Sequence, residues 1–80
     1  MVAVRLYGAL REEYGGSPLI VEAGSVREVL SHVAKTHVDE KFLRSCVMFV
    51  NNRPLHGVAR LKAKLRDGDE LALMPPVSGG

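Results

Sequence analysis

Apolar and polar side chains alternate from the start of the chain. In VAVRLYG, Val2, Val4 and Leu6 share one face while Arg5 and Tyr7 fall on the other, the period of two that predicts a strand covered on one side. ALREEYGG follows as a turn or two of helix, with Leu10 and Tyr14 at i and i+4 and with Gly15 and Gly16 available to end it in a left-handed conformation. PLIVEA reads as a brief second strand. The pattern then changes period: Val26, Val29, Leu30, Val33 and Ala34 recur at helical spacing. Ser25 and Glu28 stand three apart at the head of that run and form the S-x-x-E capping box.

THVDEKFLRS ends this helix and is expected to form a further turn carrying Phe42 and Leu43 into the core. CVMFV is rich enough in β-branched and aromatic residues for a central strand, and Asn51 and Asn52 tolerate the positive φ of a hairpin turn. PLHGVARLKAKL is irregular, with a short edge strand near Leu55 and a loop or helical turn anchored by Leu61 and Leu65. RDGDELALM supplies a turn at Asp67 and Gly68, then a strand with Leu71 and Leu73 facing inward. The order predicts an α+β fold: a mixed sheet of four to five strands with one main helix packed on one face.

Composition sharpens this only modestly. Eighty residues suit a single core, and the hydrophobic fraction of 46% with 25% charged is that of an ordinary globular domain, not of a disordered or fibrous chain. The longest apolar runs fall far short of the roughly 20 residues of a membrane span, and the opening lacks the basic and apolar regions of a signal peptide. The expectation is a cytoplasmic protein away from membranes. Cys46 is the one cysteine, so no internal disulfide exists, and its apolar surroundings predict an inert core thiol. A net charge of +2 is too small to indicate nucleic-acid binding.

Candidate metal ligands are poorly arranged. His32, His37 and His56 do not pair at i and i+3 or i+4, and no second cysteine completes a set, so no metal site is expected. Gly15-Gly16 lacks the lysine and hydroxyl residue of a phosphate-binding loop, so no bound nucleotide is expected either. Arg60, Lys62, Lys64 and Arg66 alternate with Leu and Ala, as on a solvated edge whose charges discourage sheet-to-sheet pairing.

The last residues, LMPPVSGG, carry the most specific signal. Pro75 has no N–H to extend a ladder and biases Met74 toward an extended conformation, so sheet pairing should stop there. The domain is accordingly read as residues 1–74, with 75–80 an extended, flexible tail. Pro75 and Pro76 favour a polyproline stretch, and six residues reach at most ~20 Å at about 3.3 Å each. Gly79 and Gly80 then present a carboxylate with no Cβ beside it, able to pass a narrow crevice and open to attack at its carbonyl carbon.

These residues resemble a known family. The ending DGDELALMPPVSGG, the opening VRLYGALREEYG and the VNN turn look like the small subunit of molybdopterin synthase, in the MoaD/ThiS group of ubiquitin-like sulfur carriers. The resemblance implies a ubiquitin-like β-grasp fold. It further implies that Gly80 is adenylated and then thiocarboxylated, with Gly79 beside it, by an E1-like adenylating enzyme that uses ATP and Mg²⁺. The resemblance also implies a sulfur donor protein that supplies the sulfur. The tail, through Pro75, Pro76, Val77 and Ser78, would enter the synthase large subunit in a heterotetramer and deliver sulfur to cyclic pyranopterin monophosphate. Tyr7 and Met74 match the docking positions of such carriers, where relatives often carry phenylalanine. The chain would be non-catalytic alone. The same terminal glycine also suits two other roles: a ubiquitin-like protein modifier, or a carrier for tRNA thiolation. A weaker alternative is a nucleic-acid or scaffold module using the basic 60–66 stretch.

Overall fold

A computed structural model of the chain describes residues 1–14, 16, 18–35 and 39–76. The first strand, β1 (Val2–Leu6), buries Val2, Val4 and Leu6 and exposes Arg5, as the alternation requires. Gly8 turns the chain with a φ of 61° and leads into α1 (Ala9–Tyr14), whose Leu10 reaches the core. That positive φ is one an L side chain adopts only with strain. β2 (Leu19–Val21) returns antiparallel to β1, pairing Val2 with Val21 and Val4 with Leu19.

The main helix, α2 (Val26–Ala34), starts where its capping box places it. Ser25 Oγ accepts from the Glu28 amide at 3.1 Å, and Glu28 Oε1 accepts from the Ser25 amide at 3.0 Å. Two otherwise orphaned donors are thereby satisfied, and loss of such a cap costs about 1 kcal/mol. Val26, Val29, Leu30 and Val33 are buried, so the whole stripe packs on the sheet; each such side chain contributes about 1.5–3 kcal/mol by leaving water.

α3 (Glu40–Ser45) follows, capped by Asp39, whose carboxylate accepts from the Lys41 amide at 3.1 Å. It corrects one expectation. Leu43 is fully buried, but Phe42 remains 38% exposed. Neighbouring positions on a helix point about 100° apart, so a six-residue helix crossing the core edge can direct only one of the pair inward.

β4 (Val47–Val50) and β5 (Arg53–Leu55) form the expected hairpin, closed by Asn51 and Asn52 with φ of 50° and 69°. Both central residues are left-handed, as in a type I′ turn. A 3₁₀ helix (Val58–Lys62) then precedes β6 (Lys64–Leu65) and β7 (Glu70–Met74). Among the described residues the main sheet is ordered β2-β1-β7-β4-β5, with β7 parallel to β1 and antiparallel to β4. The last strand is therefore the central one. Pairing stops at Met74, opposite Val47, immediately before Pro75.

One element is additional. β3 (Gly24–Ser25) and β6 make a two-stranded sheet of their own, extended by the Val26 amide donating to the Ala63 carbonyl at 2.8 Å. The basic stretch is consequently more tied down than a solvated edge: Leu65 is buried, and the Arg60 guanidinium donates to the Arg44 carbonyl at the end of α3. Among the described residues no helix is long and apolar enough to cross a membrane.

Candidate functional site

The face of the sheet away from the helices is open, and its residues follow from the register. Ala72 stands between Arg5 on β1 and Phe49 on β4, Phe49 is opposite Pro54, and Met74 is opposite Val47. Because side chains alternate along each strand, all of these project to the same side. Tyr7 joins them at the end of β1, its amide donating to the Leu73 carbonyl at 3.1 Å.

Tyr7, Phe49, Asn52, Ala72 and Met74 line one shallow concavity of about 230 Å³. Tyr7 is 39% and Met74 38% exposed, so both present apolar surface to solvent at the foot of the strand that leads to the tail. The structure thus brings Tyr7 and Met74 together, and adds Phe49 from β4 and Asn52 from the β4–β5 turn, residues whose strand and turn character gives no sign of this role. An aromatic pair, an adaptable thioether and one amide are what a protein interface commonly presents.

The tail begins at a fixed place. Pro75 is half-buried, and a Cβ added to Gly8 would lie 3.3 Å from both its Cδ and Cγ, so the proline ring sits against the bare backbone of that glycine. Pro76 is exposed. Val77, Ser78, Gly79 and Gly80 lie outside the described residues, as does His37.

Comparison with known proteins decides what kind of domain this is. The profile of the ThiS family matches residues 4–80. The chain belongs to the ThiS family. It is therefore a member of a family of ubiquitin-like sulfur carriers, and its fold is the ubiquitin-like β-grasp. Among solved structures it is similar to small archaeal modifier protein 1 of Methanosarcina acetivorans, with 29% identity, a TM-score of 0.76, and 99% of this chain and 95% of that one covered. A chain of the BexX/CysO complex of Amycolatopsis orientalis is 28% identical with a TM-score of 0.71, each chain covered completely. A chain in the complex of subunits 1 and 2 of the molybdopterin-converting factor of Helicobacter pylori is 25% identical with a TM-score of 0.69, covering 99% of this chain and 97% of that one. No curated protein matches the sequence.

Within this ThiS-family chain Cys46, Arg5 and Asp69 have structural partners. Cys46 is fully buried, its thiol donates to the Phe42 carbonyl at 3.4 Å, and desolvation pushes its pKa up despite the opposing charge of Arg60. A thiolate is the nucleophilic form, so this cysteine is held unreactive. Arg5 Nε pairs with Glu70 Oε1 at 2.6 Å across β1 and β7, but both side chains are over 40% exposed and the pair adds little stability. Asp69 is held below the ordinary carboxylate range by the Arg66 amide first and the Asn51 side-chain amide second. Among the described residues no three His, Cys, Asp or Glu side chains are grouped to hold a metal ion.

Proposed function

We propose that the chain is a sulfur carrier for molybdopterin synthesis, whose working group is the carboxylate of Gly80. Free carboxylate is a poor electrophile because its carbonyl is stabilised by the negative oxygen. An E1-like adenylating enzyme holding ATP and Mg²⁺ remedies this: a Gly80 oxygen attacks the α-phosphorus, pyrophosphate leaves, and the acyl-adenylate carries AMP as a good leaving group. A sulfur donor protein then supplies sulfur at the hydrosulfide level, which displaces AMP and leaves a thiocarboxylate. Delivery to cyclic pyranopterin monophosphate takes place in the large subunit of the synthase, where Pro75 to Ser78 lie along the entry channel and Gly79 and Gly80 pass its narrowest part.

The observation that carries this reading is the apolar concavity of Tyr7, Phe49, Ala72 and Met74 at the root of the tail. A carrier charged and discharged by other proteins needs a docking surface beside its exit point, so that a partner gripping the domain also receives the tail. Prolines 75 and 76 lower the entropy lost when the tail is held extended. Similarity to subunit 1 or 2 of a molybdopterin-converting factor, solved as a complex, supports assembly with a larger partner.

A second reading is favoured by the similarity to a small archaeal modifier protein: the same activated glycine forms isopeptide bonds with target lysines. Deleting Gly79 and Gly80 in the source cell separates the two. Loss of molybdenum-enzyme activity, with no change in lysine-linked conjugates, supports the carrier. Loss of conjugates alone supports the modifier, and retention of both refutes these two readings.

A further inference from the structure

Tyr7 borders a second hollow on its other side. This cleft, of about 100 Å³, is lined by Arg5, Leu6, Tyr7, Arg11 and Gly16. It differs from its neighbour in kind: among the described residues, two guanidinium groups and a phenol line it. Arg11 is contributed by α1, and its guanidinium lies along the backbone of Gly16, where an added Cβ would be 3.4 Å from Nη2 and 3.6 Å from Nε. Among the described residues no carboxylate pairs with Arg11, whereas Arg5 is held at Nε by Glu70.

We infer that this cleft receives a carboxylate side chain of the protein that docks on the adjoining apolar concavity, with Arg11 as its main ligand. The inference rests on the docking surface proposed above and adds the chemistry of its partner: an apolar side chain for the Phe49–Met74 hollow, and an acidic one beside it for Arg11, the two separated by Tyr7. A guanidinium presents parallel N–H donors that match a carboxylate, and arginine is enriched at protein interfaces and among their binding hot spots. The local charge favours this ligand over a phosphate. Among the described side chains, two arginines against Glu70 leave a single net positive charge, which balances one carboxylate and leaves a dianion half-compensated.

The test uses ATP–pyrophosphate exchange by the adenylating enzyme of the source organism, with the full chain as substrate. R11A should raise the KM for the chain about tenfold with kcat unchanged, since a docking contact is shared by ground and transition states. R11K should recover only part of this, because an ammonium lacks the paired donors. Added NaCl should raise KM for the wild type more than for R11A. Sodium acetate, at matched ionic strength, should compete with the wild-type chain at least as well as inorganic phosphate. A KM for R11A within twofold of the wild type, in protein with an unchanged melting curve, overturns the inference. So does stronger competition by phosphate, which would mark a free oxyanion site. A wild-type chain that drives no exchange at all removes both this inference and the carrier reading, whereas exchange that is indifferent to R11A removes this inference alone.

Discussion

The backbone amide of Glu70 donates to the side-chain carbonyl of Asn51 at 3.0 Å, and the Asn51 amide group in turn donates to Asp69 Oδ1 at 3.0 Å. One side chain thus latches the β4–β5 hairpin to the entry of the central strand. Its own backbone, at φ 50°, also closes the hairpin, and the Asn51 amide donates to the Glu70 carbonyl at 2.9 Å.

Replacing Asn51 separates these two tasks. N51G keeps the left-handed backbone accessible and removes the latch, so its cost should be about 1–2 kcal/mol for two lost hydrogen bonds. N51A should cost about 1 kcal/mol more, because alanine adopts that φ only with strain. Thermal melting reads both, with about 4–8 °C per kcal/mol for a domain of this size. Equal melting temperatures for the two variants would show that the turn geometry carries no energy.

The Asp69 and Glu28 carboxyls give the fold an acid limit. Both are lowered from ordinary values of 3.8 and 4.5, Asp69 chiefly by the Arg66 amide and Glu28 by the Ser25 amide. A depressed folded pKa means that the unfolded chain binds protons more readily. Their contribution is therefore complete above the ordinary values, and is lost as pH falls through the lowered ones. Denaturant unfolding between pH 7 and pH 2 should show stability constant near neutrality and falling below about pH 4. D69N should flatten part of that fall, and an unchanged profile would contradict the assignment.

Cys46 should ignore thiol reagents while the protein is folded. Its sulfur is buried and its pKa is raised by burial, so both access and thiolate fraction are low. Alkylation followed by mass spectrometry should proceed at the rate of unfolding, and should accelerate in denaturant. Rapid labelling of native protein would show the α3–β4 junction to be open.

Docking on the open face should fail with a single charge. Met74 is exposed, so M74D should leave the melting temperature within a few degrees while weakening capture of the large synthase subunit or the adenylating enzyme by about 10–100-fold. Binding measured by calorimetry or surface plasmon resonance distinguishes this from misfolding. An undiminished affinity would place the interface elsewhere.

What the sequence discloses follows the range of the interactions. The Ser25–Glu28 cap, the α2 stripe and the Asn51-Asn52 turn were legible because each is written within a few residues. The alternation in β1 and β7 likewise predicted which faces are buried. Phe42 and Leu43 were indistinguishable because both are large and apolar, and only the orientation of a short helix separates them. β3 and β6 have two residues each, too few for any period to show. The concavity required the β1–β7–β4 register, which joins Tyr7 to Phe49 and Asn52 across more than forty positions. Gly8 gave no local sign of its positive φ, since its partner in the turn is Pro75, near the other end of the chain. By contrast, the proposed role of Gly80 was readable at once from the terminal residues and the family they resemble.

The most direct test of the account is the intact mass of this protein purified from its own cell under non-reducing conditions, followed by fragmentation of the C-terminal peptide. The account predicts a fraction bearing sulfur in place of one oxygen, with the change located on Gly80. A terminus that is wholly unmodified carboxylate, in cells actively making molybdenum cofactor and with the adenylating enzyme present, would contradict it.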